Sequence, residues 1–340
     1  RLSLGLKWRL LDFGRREAGI EAAEAMARAR EAMAEAVRNQ LVYEVTRAWY
    51  GALQAREFER VQAAQVASLE ESLRIARERE ARGAAIRGDV LSIEVRLSEA
   101  REDLVRARNA VQLAVAALNT AVGRDLATVE ALPESSGTLA AAKGAELRDD
   151  VSLEDHPAAR AAAAAVEARR FAARRAQAEF RPTLSAFASS DWDSEDVAGF
   201  EQSYLAGVVA ELDLFDGFRR RGAVAEAMAE VRAAEAEARR TLDQLRFDLR
   251  QAVIRAREAA ERLQVVAQAE AAAAEALRIT RARYEQGAAD LAELLNAEVA
   301  HASIRSRRVA AHYDHHIAHA NVERARGRLA TAYEGTGGAR

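Results

Sequence analysis

Five histidines stand close together near the carboxyl end of the chain, and imidazole is the side chain that most often binds transition metals. They are His301, His312, His315, His316 and His319. Most of them recur at intervals of three or four residues, so a helix would place them on one face. A zinc or copper site is one interpretation, and a partly wetted surface between helices is the other. No carboxylate or thiol completes a ligand set, so we assign no metal and no cofactor.

Two glycine-containing turns, each followed by acidic residues, form the second candidate site. The turn glycines are Gly83, Gly88 and Gly287. The acidic residues that follow them are Asp89, Asp290 and Glu293. If several chains brought these carboxylates into rings, the rings would favour cations over anions. Acidic residues are also favoured in the first turn of any helix by the helix dipole, and both interpretations stay open.

The sequence lacks the motifs of common catalytic sites. It contains no glycine-rich phosphate loop, no G-x-S-x-G and no H-E-x-x-H. The acidic and basic residues are distributed along helix faces instead. A net charge of -3 gives no electrostatic reason to expect a nucleic-acid partner. We predict that the chain is not an enzyme.

The elements that would position these residues occur twice. The stretch WRLLDFGRR starts at Trp8, and the similar stretch LDLFDGFRR starts at Leu212. Asp12 and Asp216 stand 204 positions apart in these stretches, and the same shift relates Gly83 to Gly287. A shift kept over more than a hundred residues indicates a duplicated unit, which we predict to be a strand followed by a long helical hairpin.

Long helices are predicted from the composition and from the spacing of apolar residues. The chain has only 3 prolines, and Ala, Glu, Arg and Leu dominate it. The predicted helices are 15–82, 89–122, 157–180, 218–284 and 290–326. In the second of them a leucine and valine heptad alternates with an alanine heptad, which is typical of close antiparallel packing between helices.

Three segments alternate between apolar and other residues with the period of a strand. They are Leu2–Leu10, Thr183–Ser189 and Tyr204–Leu214, with an acidic loop predicted over 191–203. Nine to eleven residues is the length that a tilted strand needs to cross a bilayer. The residues predicted to face lipid include Leu4, Leu6, Trp8, Val208 and Leu212.

These elements predict four segments along the chain. Residues 1–126 form the first repeat, and 155–330 form the second repeat. Residues 127–154 read as a linker or equatorial region, and 331–340 as a disordered tail. No apolar run approaches the roughly 20 residues of a membrane-spanning helix.

Taken in order, these features resemble the outer-membrane efflux protein family, the TolC family. The junctions LLDFGRR and LFDGFRR are similar to its strand-to-helix signature, and RYEQGAADLAELLNAE is similar to its periplasmic turn. HPAARAAAAAVEARR followed by FRPTLSAFAS matches a third family segment. The resemblance covers essentially the whole chain. By the family pattern, a signal sequence, a leading helix and a strand precede Arg1.

The resemblance implies a mainly α-helical fold in which a trimeric outer-membrane β-barrel is continued by a long α-helical barrel. It implies a homotrimer in the outer membrane of a Gram-negative bacterium, extending into the periplasm. The turns at Gly83, Gly88 and Gly287 would dock a periplasmic adaptor, and Asp89, Asp290 and Glu293 would ring the entrance. The implied function is passive export of small molecules or polypeptides from an inner-membrane transporter.

Two other interpretations come from a different class of protein. A soluble coiled-coil scaffold would share the long helices, but it would have no use for strands with a lipid-facing apolar side. A hairpin adaptor is less favoured because no lipoyl-like or β-barrel module is present. The sequence does not indicate which substrate is exported.

Overall fold

The computed structural model of the chain describes residues 2–126, 128, 147, 150–196 and 199–337. Most of these residues are helical. In chain order the elements are β1 (Leu2–Leu11), α1 (Arg15–Ala81), α2 (Arg87–Val122), α3 (Pro157–Ala178), β2 (Thr183–Asp196), β3 (Gly199–Glu211), α4 (Arg219–Glu285), α5 (Leu291–Ala325) and α6 (Leu329–Gly337). Within the described ranges, no helix is long and apolar enough to cross a membrane.

The predicted internal repeat is visible in the helix boundaries. Helices α1 and α4 both contain 67 residues, and both their first and their last residues are 204 positions apart. The return helices α2 and α5 begin at Arg87 and Leu291, which are related by the same shift. At 1.5 Å per residue, each long helix extends about 100 Å. The duplicated unit is therefore a long helix, a tight turn and a return helix.

Two compact units divide the chain, and each draws on both repeats. The first contains Arg1–Ala36 and Ser152–Leu245, and the second contains Val37–Val151 and Arg246–Arg340. The strands, helix α3 and the beginnings of the two long helices belong to the first unit. The two hairpins belong to the second unit. Most of the predicted linker, 127–154, lies outside the described residues.

In the first unit, the three strands form one antiparallel sheet in the order β1-β2-β3. Trp8 pairs with Ala186, which pairs with Val208, so the predicted apolar faces of β1 and β3 fall on the same side. The acidic loop predicted over 191–203 is wrong, because Asp191 pairs with Ser203 and β2 continues to Asp196. The antiparallel ladder satisfies the backbone groups of this segment despite its acidic side chains.

Both long helices begin at an aspartate from the repeated junction motif. An Asp12 carboxylate oxygen accepts a hydrogen bond from the Arg16 N–H at 3.2 Å, and Asp216 accepts one from the Arg220 N–H at 3.1 Å. Each cap satisfies a backbone donor that the first helical turn leaves unpaired. The duplicated motif is thus a duplicated helix start.

In the second unit, the predicted hairpin packing of α2 against α1 is present. Leu97 and Ala100 of α2 are buried in a cluster with Leu69 and Leu73 of α1. Gly123 ends α2 with a φ of 75°, as its C-cap position predicts. Alternating large and small side chains therefore hold this hairpin closed.

The disordered tail predicted for 331–340 is wrong as far as Gly337, because helix α6 covers Leu329–Gly337. Leu329 is fully buried, and its N–H donates to the Asn39 side-chain oxygen at 2.9 Å. Burial of this leucine and capping by Asn39 order a segment that its glycines suggested was unstructured. Residues 338–340 lie outside the described ranges.

Candidate functional site

The two predicted turn glycines end the long helices in the left-handed conformation. Gly83 has a φ of 72° and Gly287 a φ of 77°. The next residue in each turn donates a hydrogen bond to the carbonyl five positions earlier. Ala84 donates to Arg79 at 2.8 Å, and Ala288 donates to Arg283 at 2.7 Å. This pattern closes a helix C-terminus and favours glycine strongly. Gly88 differs from both, because it lies in the first turn of α2 and has no positive φ.

Arg79 joins the end of α1 to the end of α4 beside these turns. Its guanidinium donates to the Tyr284 carbonyl at 2.5 Å and to the Ala84 carbonyl at 3.1 Å. The same guanidinium lies 4.4 Å from the centre of the Tyr284 ring, and burial raises the pKa of that phenol. We did not predict this contact from the sequence, although Arg79 and Arg283 are related by the repeat.

The acidic residues behind the turns have local structural partners. Asp290 caps α5, where its carboxylate accepts from the Glu293 N–H at 2.8 Å. Glu293 lies 3.5 Å from Arg283, and both side chains are half exposed. Asp89 is half buried in the first turn of α2. These positions fit stabilisation by capping and by the helix dipole.

A buried carboxylate lies further from the turns, between α1, α4 and α5. Glu298 is 1% exposed, and its oxygens accept from the Ser68 hydroxyl at 2.8 Å and the Ser72 hydroxyl at 3.3 Å. The Arg281 guanidinium lies 2.5 Å from a Glu298 carboxylate oxygen and completes the group. In the other repeat, Arg77 and Glu94 form the equivalent pair at 2.7 Å, but both are partly exposed. In both repeats the arginine and the glutamate are 17 residues apart, and this equal spacing is the feature of the sequence from which the pair could have been found.

The clustered histidines pack against α1. The His316 ring stacks on Tyr50 with 5.2 Å between centroids and 11° between planes. His312 and His316 are 4.8 Å apart, and His315 and His319 are 4.5 Å apart. Burial lowers the pKa of all four, and that of His316 falls to about 4. These side chains are therefore neutral at pH 7.

Over the described part of the chain, no three histidine or carboxylate side chains are arranged to hold one metal ion. The buried Nδ1 atoms of His315, His316 and His319 have no hydrogen-bond partner there either. Metal-bound imidazoles usually donate their second N–H to an oxygen acceptor. The stacking of His316 on Tyr50 places the cluster between α5 and α1, the position that the second interpretation describes, and the metal site stays a prediction. His301 lies apart from it and is half buried.

One face of the three-stranded sheet exposes large apolar side chains. Leu4, Leu6 and Trp8 of β1 and Val208 of β3 are all exposed, and the register brings Trp8 and Val208 into one row. On the other face, the Phe187 ring covers Gly207, where an added Cβ would lie 3.1 Å from the ring. Leu212 is exposed as well and directly follows the last residue of β3, so its lipid-facing position stays a prediction.

The outer membrane efflux protein family matches this chain over residues 1–124 and 150–328. The chain belongs to that family. It is 32% identical over 329 residues to Protein CyaE of Bordetella pertussis, a match that covers 91% of this chain and 66% of CyaE. The chain thus spans slightly less than two thirds of that relative.

Solved structures of bacterial membrane proteins share this fold. A membrane protein from Pseudomonas aeruginosa is 23% identical, with a TM-score of 0.81 over 96% of this chain and 82% of that chain. The CmeC outer membrane channel of Campylobacter jejuni is 17% identical, with a TM-score of 0.82 over 96% of this chain and 71% of its own. These likenesses confirm the predicted fold class.

Family membership also confirms the predicted localisation and protein class. The family's description places its members in the outer membrane and gives them a role in efflux, which is transport and not catalysis. The exposed apolar strand face and the two long hairpins are the features of this chain that suit such a location.

Proposed function

We propose that the protein is the exit duct of a tripartite efflux pump or a type I secretion system, formed by three copies of the chain. The observation that carries this proposal is the exposed apolar face of the sheet, with Leu4, Leu6 and Trp8 on an edge strand. An unpaired sheet edge cannot sit in lipid, because its backbone groups would have no partners. Both outer strands, β1 and β3, therefore pair with strands outside this three-stranded sheet, which neighbouring copies supply in this proposal.

The helices continue the duct away from the membrane. Each long helix extends about 100 Å, which is more than three times the hydrocarbon thickness of a bilayer. The surfaces of both long helices carry arginine and glutamate pairs, which suits an aqueous environment. Transport through such a duct is passive, and an inner-membrane transporter supplies the substrate.

The turns are the docking site in this proposal. Gly83 and Gly287 hold the backbone in sharp turns, and Gly88 leaves the start of α2 without a side chain. The coiled-coil tip of a periplasmic adaptor would approach these positions closely. Asp89, Asp290 and Glu293 stand beside the turns, and in three copies they form the acidic entrance to the duct.

The alternative function is a soluble coiled-coil scaffold. It accounts for the helices and the absence of catalytic motifs. It does not account for the exposed leucine and tryptophan side chains of β1, since a contiguous apolar surface of this kind promotes aggregation in water.

Fractionation of the full-length, natively expressed protein tests the proposal. We expect the protein in the outer-membrane fraction, as a trimer by native mass spectrometry of a mild-detergent extract. Leu6→Arg places a charge on the lipid face, which costs about 2–4 kcal/mol at mid-membrane, and reduces the assembled fraction. Lys7→Glu, on the opposite face, is the matched control. A soluble monomer or dimer would support the scaffold instead.

A further inference from the structure

An open groove lies in the second unit, where α1, the end of α2 and α6 meet. Its volume is about 480 Å³, which is within the roughly 300–1,000 Å³ of small-molecule sites. The side chains that line it are mostly apolar. They include Leu41, Val45 and Trp49 of α1, Leu118 and Val122 of α2, and Tyr333 of α6. None of the lining residues belongs to the strand face or to the turns.

Packing within the chain shapes this groove and leaves it accessible. Leu118 is buried, whereas Leu41 and Val122 are 50% and 44% exposed. The Tyr333 phenol of α6 lies 3.5 Å from the Thr46 hydroxyl of α1, which holds α6 against α1 beside the groove. Three helices of one chain therefore form the walls of the groove, and its rim is open to solvent.

At the equivalent positions of the second repeat, the described residues form a buried core. Three equivalents of lining residues, which stand 204 positions later, are no more than 1% exposed. They are Leu249, Val253 and Val322. Arg326, the equivalent of Val122, is buried as well and pairs with Glu323 at 2.9 Å. The groove therefore does not follow from the hairpin architecture, which both repeats share.

Two polar groups of the groove indicate what kind of molecule it binds. The Trp49 indole N–H is buried and has no hydrogen-bond partner within the described part of the chain. An unpaired buried donor is unfavourable, and an oxygen atom of a bound molecule would satisfy it. Arg124 is exposed and is the one charged side chain among the described residues that line the groove. Its guanidinium favours a carboxylate over a cationic or neutral head group.

We propose that this groove binds a medium-chain fatty carboxylate. Along α1 the lining residues run from Leu41 to Trp49, which is about 12 Å of helix and suits an extended alkyl chain. The alkyl chain covers the apolar lining, and removal of this apolar surface from water stabilises the complex. The carboxylate pairs with Arg124, and the Trp49 N–H donates to an oxygen of the same molecule. The site is built from one chain, so it is independent of the proposed assembly into a duct.

Photolabelling in isolated outer membranes tests this site with the full-length protein. The probe is a dodecanoate that carries a diazirine at the end of its chain, and labelled peptides are identified by mass spectrometry. We expect most of the label in peptides from the two helix segments that line the groove, 41–49 and 118–124. An excess of dodecanoate should remove most of this label. Dodecyltrimethylammonium, which has the same chain and a cationic head group, should not remove it.

Two variants and a control connect the label to the groove. Arg124→Gln removes the charge, and we expect about tenfold less label because a hydrogen bond to a charged group is lost. Arg328→Gln is the matched control and should keep the label. Arg328 is the repeat equivalent of Arg124, it also follows a glycine, and it does not line the groove. Val45→Trp fills the groove with a larger side chain and should lose the label as well.

Three results would overturn the proposal. One is label that spreads over the exposed apolar residues of the long helices. Another is equal labelling of the Arg124→Gln and Arg328→Gln variants. The third is label on the groove in a monomeric fraction but not in the trimer, since a second copy would then cover the groove. Native mass spectrometry of the same extracts reports the oligomeric state, so a failure of the proposed duct is detected separately.

Discussion

Glu298 and Glu94 occupy equivalent positions in the two repeats but differ in burial. Replacing each of them with alanine should therefore change the stability by different amounts. Glu298→Ala leaves Arg281, Ser68 and Ser72 without their buried acceptor, and we expect a loss of about 3–5 kcal/mol in stability. Glu94→Ala breaks a partly exposed pair, which costs no more than about 1 kcal/mol. Thermal melting followed by circular dichroism measures both. Equal shifts would mean that Glu298 is not buried in the assembled protein.

The turn glycines allow a second prediction at the residue scale. Gly83→Ala and Gly287→Ala force a side chain into the left-handed region, at a cost of about 1–2 kcal/mol each. Gly88→Ala, the control, lies in a helix without positive φ and should be neutral or slightly stabilising. Melting temperatures report the backbone effect. If Gly88→Ala alone weakens adaptor binding in a pull-down, docking contacts that position directly.

At the scale of single residues, the sequence predicted where the important residues lie better than it predicted which residues they contact. The turn glycines, the junction aspartates and the apolar residues of β1 follow from local spacing. The pairing of Arg79 with Tyr284 joins residues 205 positions apart, and that of Ser68 with Glu298 joins residues 230 positions apart. Such pairs depend on which helices pack together, and no local pattern encodes that.

At the scale of elements, the histidines should make the packing of α5 on α1 sensitive to acid. Burial lowers the pKa of His316 to about 4, while an unfolded histidine titrates near 6.5. The unfolded chain therefore binds protons that the folded chain does not, so stability falls as the pH drops from about 6.5 towards 4. The charged groups near the cluster are Glu57 and Arg60 on α1 and Arg308 and Glu323 on α5.

Melting temperature against pH measures this effect, and the first repeat supplies the substitutions. His315→Val, His316→Gln and His319→Val introduce the residues that stand 204 positions earlier, in α2. We expect the triple variant to lose most of its pH dependence between 4 and 6.5. His301→Leu, outside the cluster, should retain it. An unchanged profile in the triple variant would assign the acid sensitivity to other groups.

The long helices and the three strands were predictable from the sequence, but the acidic part of the β2–β3 hairpin and helix α6 were not. Helix α1 differs from its predicted end by one residue, because Gly83 fixes the turn. Strand β2 runs through acidic residues because pairing with β3 outweighs their low strand propensity. Helix α6 forms because Leu329 enters a buried site, which local composition does not reveal.

At the scale of the whole molecule, the repeat and the family were readable in the sequence because both appear as patterns at fixed spacing. The uncovered face of α4 was not, since Phe247 and Tyr43 are similar aromatic residues at equivalent positions. Only the structure distinguishes the two faces, because Tyr50 of α1 packs on His316 of α5 within the chain, while Ile254, its equivalent in α4, is 54% exposed. The sequence alone does not show which of two similar helix surfaces is already covered by another helix of the same chain.

The most direct test of the central claim is ion conductance of the purified full-length protein in planar lipid bilayers. We predict discrete conductance steps with a preference for cations, and a weaker preference when Asp89, Asp290 and Glu293 are replaced by their amides. Protein dissociated by heat before addition is the control and should give no steps. A protein that reaches the outer membrane as a trimer but conducts no ions would contradict the account of this chain as a channel.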